Sequence, residues 1–158
     1  MSTTTSNDRS GVVRVRSQAL GDLEVPDSDA IHFCEPVAGF PDCSEYALVP
    51  HLRADGTPNT NIMWLQALEA PHHAFIVTDP WSVAADYAPE IPDADAEQLQ
   101  LRSFDDARVL VILTVPRGGG LSVNLRAPIV FNVTARLGKQ VVLLSDRWDT
   151  RHMLGGGS

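Results

Sequence analysis

Five histidines and two cysteines are the side chains that could ligate a metal or act as a nucleophile or base in this 158-residue chain. Cys34 and Cys43 lie nine positions apart, without the C-x-x-C spacing of a zinc site, and read as reduced, buried or half-buried thiols. His72 and His73 are adjacent, which in a strand points them to opposite faces, so they are poorly placed to share one ion. His32, His51 and His152 are isolated in sequence and could converge only through the fold. A G-x-S-x-G elbow is missing, which leaves no α/β-hydrolase nucleophile. The run Gly118-Gly119-Gly120 is followed by Leu121 and a strand pattern, with no Gly-Lys-Ser/Thr, so it is no phosphate loop. Asn132-Val133-Thr134 matches a glycosylation acceptor, a pattern without meaning for a chain that stays in the cytoplasm. These observations predict no catalytic residue, no cofactor and no metal site.

Charge is the chemistry that remains. The chain carries −8, from 20 acids against 12 basic residues. That disfavours direct nucleic-acid binding, which needs clustered Lys and Arg, and it suits docking to a basic protein. The acids are concentrated: Asp79, Asp86, Glu90, Asp93, Asp95, Glu97, Asp105 and Asp106 are opposed only by Arg102, a net of −7 between residues 79 and 106. Trp81, Tyr87 and Phe104 sit among them. Aromatic anchors ringed by charge are a common docking composition, the rings giving affinity and the charges steering encounter. The plainer reading is a solvated acidic connection whose aromatics plug the end of a barrel. Residues 126–151 lean the other way, with a net of +3. Lys139, the sole lysine, reads as a composition bias.

The elements that must position these residues are mostly short strands. Val12 to Arg16 alternates apolar and charged residues, the period of a half-buried strand. Gly21 to Asp29 reads as turn-rich. Ile31 to Phe33, Tyr46 to Val49, Met63 to Leu68 and Ala74 to Val77 are apolar runs bounded by turn residues, among them Asp55-Gly56 and Pro71-His72-His73. Pro80 opens a short helix over Trp81 to Tyr87, and Asp93 to Leu101 allows another, its acids placed at the favourable end of the dipole. Strand patterns resume at Arg108 to Val115, Leu121 to Leu125, Ile129 to Thr134 and Gln140 to Leu144, with turns at Arg117 to Gly120 and Gly138-Lys139. The pattern predicts one all-β domain over residues 11–154, an antiparallel β-barrel or sandwich with one or two short helices. A hydrophobic content of 44% suffices for one core. Residues 1–10, rich in Ser and Thr and lacking an apolar h-region, read as a mobile tail rather than a signal peptide, and Gly155 to Ser158 as a flexible one. The longest apolar run, Val109 to Val115, is too short to span a bilayer, which predicts a cytoplasmic protein with no membrane partner.

The string Asn124-Leu125-Arg126-Ala127-Pro128-Ile129-Val130-Phe131-Asn132 resembles the C-terminal signature of the FliW family of flagellar assembly factors. Ordered features upstream and downstream agree: Gly39-Phe40, Leu65-Gln66, Asp79-Pro80 with Tyr87, and Gly138 to Leu143 with Arg151. Pro36 replaces the first glycine of the usual Gly-x-x-Gly-Phe, and Ala67 stands where serine is common. Gly39, Phe40, Leu65, Gln66, Asn124, Leu125, Pro128 and Asn132 read as structural members of the motif, with the Asn124 to Asn132 string as a corner that fixes the barrel. The resemblance implies a binding protein that antagonises the RNA-binding translational regulator CsrA by docking away from its RNA face, and that also binds flagellin, coupling flagellin level to its translation. The partner surface expected on this reading comprises Asp79, Trp81, Asp86, Tyr87, Glu90, Asp93, Asp95, Glu97 and Phe104. The alternative from another class is a small β-barrel ligand carrier, cofactor-binding protein or enzyme.

Overall fold

The computed structural model describes residues 11–115, 118 and 120–154; the two expected tails, and Arg117 and Gly119 of the expected turn, lie outside these residues. Strands β1 (Val12–Ser17) and β2 (Gly21–Pro26) form a hairpin of their own. The rest of the fold is built on β3 (Ile31–Phe33), β4 (Glu45–Leu52), β5 (Pro58–Ala67), β6 (Ala74–Thr78), β7 (Ala107–Thr114), β8 (Ser122–Val123), β9 (Ile129–Asn132), β10 (Leu137–Gln140) and β11 (His152–Met153). Consecutive pairing from β3 through β7 is antiparallel; β7 then pairs β9, β9 pairs β10, and β10 returns to β3, which closes a seven-stranded barrel. The closing β10–β3 pair is parallel, joining segments from opposite ends of the chain. The far end of β7 pairs instead with β8, and β8 with β11, making a small flap.

The barrel interior is filled. Phe33, Tyr46, Leu65, Val77, Leu110, Ile129 and Phe131 are each at most 3% exposed and form one cluster. Phe33 packs on Tyr46 at 4.7 Å between centroids and edge-on to Phe131 at 6.0 Å. A small barrel closes only if its inward positions fill the space, and removing a group of this size from a close-packed interior leaves a cavity. A second cluster, on the other side of β7 and β9, holds Tyr87, Leu99, Val109, Val111, Val130, Val141, Leu143 and Trp148. The β1–β2 hairpin is fastened to the barrel by Val15 and Val25 against Ala47.

Several local expectations change. Gly21 to Asp29 is not simply turn-rich: Leu23 and Val25 alternate with Asp22 and Glu24, and β2 forms because Val25 finds Ala47 to pack against. Cross-strand pairs Arg14–Glu24 and Arg16–Asp22 cover its solvent face. The helix expected over Trp81 to Tyr87 shrinks to a single 3₁₀ turn, Pro80–Ser82, whose start is capped by the Asp79 carboxylate accepting from the Trp81 N–H. The second helix, α1, runs Asp93–Gln98 and stops at Gln100, which has φ +58°. Leu121 to Leu125 shortens to β8, because Asn124 Oδ1 accepts from the N–H groups of Arg126 and Ala127 and turns the chain. Gly138-Lys139 is not the last turn. Residues 133–136 turn, with Arg136 at φ +60°, and Gly138 lies inside β10. A Cβ at Gly138 would stand 2.8 Å from the Phe33 ring, so the glycine serves the close approach of β10 to β3 rather than a turn.

Candidate protein-docking surface

The connection from β6 to β7, residues 79–106, wraps one side of the barrel and carries most of the expected contact residues. The structure sorts them into two groups. Tyr87 is 3% exposed; its phenol donates to the Leu125 carbonyl at 2.7 Å, and Trp148 meets its ring edge-on at 4.8 Å. Burial pushes its phenol pKa well above the ordinary value. Tyr87 therefore anchors the connection to the barrel and offers no ring to a partner, a correction to its expected place on the surface. Asp95 is withdrawn too: its carboxylate pairs with Lys139 Nζ at 2.5 Å and is 18% exposed.

Asp79, Asp86, Glu90, Asp93, Glu97 and Asp105 keep their carboxylates at or near the surface. Asp86 is paired with Arg147 at 3.0 Å, and the Arg147 guanidinium lies 4.5 Å over the Trp148 ring. Asp79 caps the 3₁₀ turn, and Asp106 closes a capping box with Ser103. Among the described residues Glu90, Asp93, Glu97 and Asp105 form no ion pair. Trp81 is 37% and Phe104 48% exposed, and the two rings meet edge-to-face at 6.4 Å. Trp81 is held by its indole N–H donating to the Tyr87 carbonyl at 2.7 Å. So the rings of the segment divide: Tyr87 is buried against Trp148, while Trp81, Phe104 and the four carboxylates without ion partners stay at the surface.

Most of the motif residues lie within or against the barrel strands, while Gly39 and Phe40 lie in the loop after β3. Leu65, Gln66 and Leu125 are at most 1% exposed, and Pro128 is buried, its carbonyl accepting from the Val141 N–H. Gln66 Nε2 donates to the carbonyls of Ala67, His72 and His73, which organises the β5–β6 turn. Asn132 Nδ2 donates to the carbonyls of Leu99 and Gln100, tying the end of α1 to β9, while its Oδ1 accepts from the Ala135 N–H. Gly39 has φ +89°, a conformation that suits glycine, and Phe40 stacks on His73 at 4.0 Å.

Two clusters went unread in the sequence. Lys139, 8% exposed, faces Asp95, Glu35 at 3.4 Å and the Gln98 side chain. Burial alone would lower its pKa; Asp95 and Glu35 outweigh that and raise it. Its being the sole lysine was the available signal. The other cluster is His73, whose Nε2 meets the Tyr46 hydroxyl at 2.8 Å inside a ring of Phe40 and Phe75. Nothing in the His72-His73 pair distinguished the buried ring from its neighbour. Cys34 and Cys43 are free, and burial is the main cause pushing both thiols up, away from nucleophilic thiolate. Among the described residues no group of three or more His, Cys, Asp or Glu could hold a metal ion, and no helix is long and apolar enough to cross a membrane.

The fold is a closed barrel packed with its own side chains, and one external connection carries acids without ion partners among the described residues and half-exposed rings. A family model described as FliW protein matches residues 14–154. The flagellar assembly factor FliW of Pseudothermotoga lettingae is 34% identical over 137 residues, covering 85% of this chain and 84% of that protein. The FliW of Caldicellulosiruptor saccharolyticus is 32% identical and covers 89% of each. A crystal structure of the flagellar assembly factor FliW superposes with a TM-score of 0.77 at 32% identity, covering 89% of this chain and 95% of that one. The chain belongs to the FliW family of flagellar assembly factors.

Proposed function

We propose that this chain is a cytoplasmic protein–protein switch that binds a CsrA-type translational regulator and flagellin in turn, with no catalytic step of its own. The observation that carries the reading is the set of unpaired carboxylates Glu90, Asp93, Glu97 and Asp105 beside the half-exposed Trp81 and Phe104. A regulator built to hold RNA is basic, so an acidic face attracts it over a distance on the order of 10 Å at ordinary ionic strength. Half-exposed rings then supply apolar area at the contact. The filled barrel interior favours this reading over a ligand carrier, whose cavity would have to lie where Phe33, Tyr46 and Phe131 pack.

The test reverses three unpaired acids, Glu90→Lys, Asp93→Lys and Glu97→Lys, and leaves Asp95 in place because Lys139 depends on it. Affinity for CsrA measured across a salt series should fall on the order of tenfold at low salt, with a flatter salt dependence. An unchanged affinity and slope would remove this face from the reading.

A further inference from the structure

The segment after β10, residues 141–144, lies outside the regular strands, and among the described residues its backbone N–H groups are bonded along one edge only. Val141 N–H donates to the Pro128 carbonyl and Leu143 N–H to the Arg126 carbonyl, continuing the β9–β10 ladder beyond its last regular pair, Gln140 with Ile129. In such a ladder the odd residues point their backbone groups at β9, and Val142 and Leu144 point theirs to the opposite edge. β3 covers that opposite edge only as far as Gly138, whose carbonyl accepts from the Cys34 N–H before the chain leaves at Glu35-Pro36. Among the described residues the N–H groups of Val142 and Leu144 donate no hydrogen bond. Val141 and Leu143 are buried in the second core, whereas Val142 is 63% and Leu144 82% exposed.

Beside this stretch runs an open groove of about 550 Å³, between residues 88–93 and 143–148, with Leu143 and Trp148 along one side. Among the described residues its rim carries Glu90 and Asp93 without ion partners, and the cation that lines it, Arg147, pairs with Asp86. An unpaired strand edge with exposed apolar side chains is a template for another strand. The acidic rim sets the sign of what it accepts.

We propose that residues 141–144 accept an extended peptide segment of a protein partner by strand addition, with apolar residues at alternate positions and Arg or Lys between them facing Glu90 and Asp93. The inference deepens the docking reading above and rests on it only for the basic character of the partner.

The probe is a capped, fluorescein-labelled Val-Arg-Val-Arg-Val-Arg-Val peptide titrated against the full chain, with Val-Glu and backbone N-methylated versions beside it. Val142→Pro removes one edge donor while keeping the Val141 and Leu143 bonds to β9. Affinity for the Val-Arg peptide should fall on the order of tenfold in that variant, the worth of one lost hydrogen bond, and several-fold in Glu90→Lys/Asp93→Lys. The N-methylated and Val-Glu peptides should bind at least as poorly. Because Val142→Pro could disturb folding, amide exchange is read on the unmodified chain: Val142 and Leu144 should gain protection when the peptide binds. No binding, equal binding of the N-methylated peptide, or protection elsewhere overturns strand addition. CsrA is titrated in parallel. If CsrA binds while the peptide does not, the strand-addition inference alone falls; if the peptide binds this edge while CsrA does not bind, the docking reading alone falls.

Discussion

Replacing Tyr87 by Phe isolates one bond. The phenol donates to the Leu125 carbonyl at 2.7 Å, and no other group bonds that carbonyl among the described residues. Phe keeps the ring against Trp148 and Trp81, at 4.8 and 5.8 Å between centroids, so packing is conserved and only the hydroxyl is lost. The carbonyl is then left buried without a partner, a cost of about 1–2 kcal/mol. For a domain of this length that lowers the melting temperature by ~3–8 °C. Urea unfolding should show the loss as a shift in midpoint at constant m. The alkaline limb gives a second reading. Burial raises the Tyr87 pKa in the folded state, so its contribution is present below the unfolded value, about 10, and is lost as pH rises through the folded value. The Phe variant should lose less stability above pH ~10 than the parent, since Tyr46, Cys34, Cys43 and Lys139 keep their raised values in both proteins and only the Tyr87 contribution is removed. At a temperature where both proteins are folded, affinity for CsrA should be unchanged. A destabilisation under about 0.5 kcal/mol, or a tenfold loss of affinity with the fold intact, would refute the placement of Tyr87 as an anchor.

Gly138→Ala puts a methyl 2.8 Å from the Phe33 ring at the pair that closes the barrel, and calorimetry should show a loss of about 1–3 kcal/mol; no change would mean that β10 and β3 can part cheaply. Lys139→Met leaves Asp95, 18% exposed, without its cation. That should cost about 1–3 kcal/mol, less than a fully buried broken pair because water reaches Asp95. The double variant Lys139→Met/Asp95→Leu should recover most of that loss, and additivity of the two changes in unfolding experiments would show that the pair is not coupled. Burial lowers the His73 pKa below its ordinary 6.5, so its contribution is present above that value and lost as pH falls towards the folded one. Stability of the parent should decline as pH falls below about 6.5 by an amount missing from His73→Phe; parallel pH profiles for the two proteins would place the titration elsewhere.

Local pattern was enough to mark most of the frame. The alternation in Val12 to Arg16, the apolar runs at 74–77 and 108–115, and the proline and glycine punctuation between them are short-range signals, and they located β1, β6 and β7 within a residue or two. The same pattern marked the 79–106 acids, because net charge is additive along a chain. The ordered family motifs needed no coordinates either, and residues 14–154 match the family.

What tertiary structure alone decided is which of those residues still face water and what each glycine and lysine is for. Gly138 looked like a turn because glycine permits one; only the Phe33 ring, 105 positions earlier, shows that it is a point of close approach. Tyr87 and Asp95 looked like two more members of an acidic, aromatic surface, and each is removed from it by a partner far along the chain, Leu125 and Lys139. Among the described residues the Val142 and Leu144 edge is open because β3 pairs with β10 only as far as Gly138, a property that neither segment has by itself. Charge and periodicity are sums over neighbours in sequence, while burial and pairing depend on residues that only chain closure brings together.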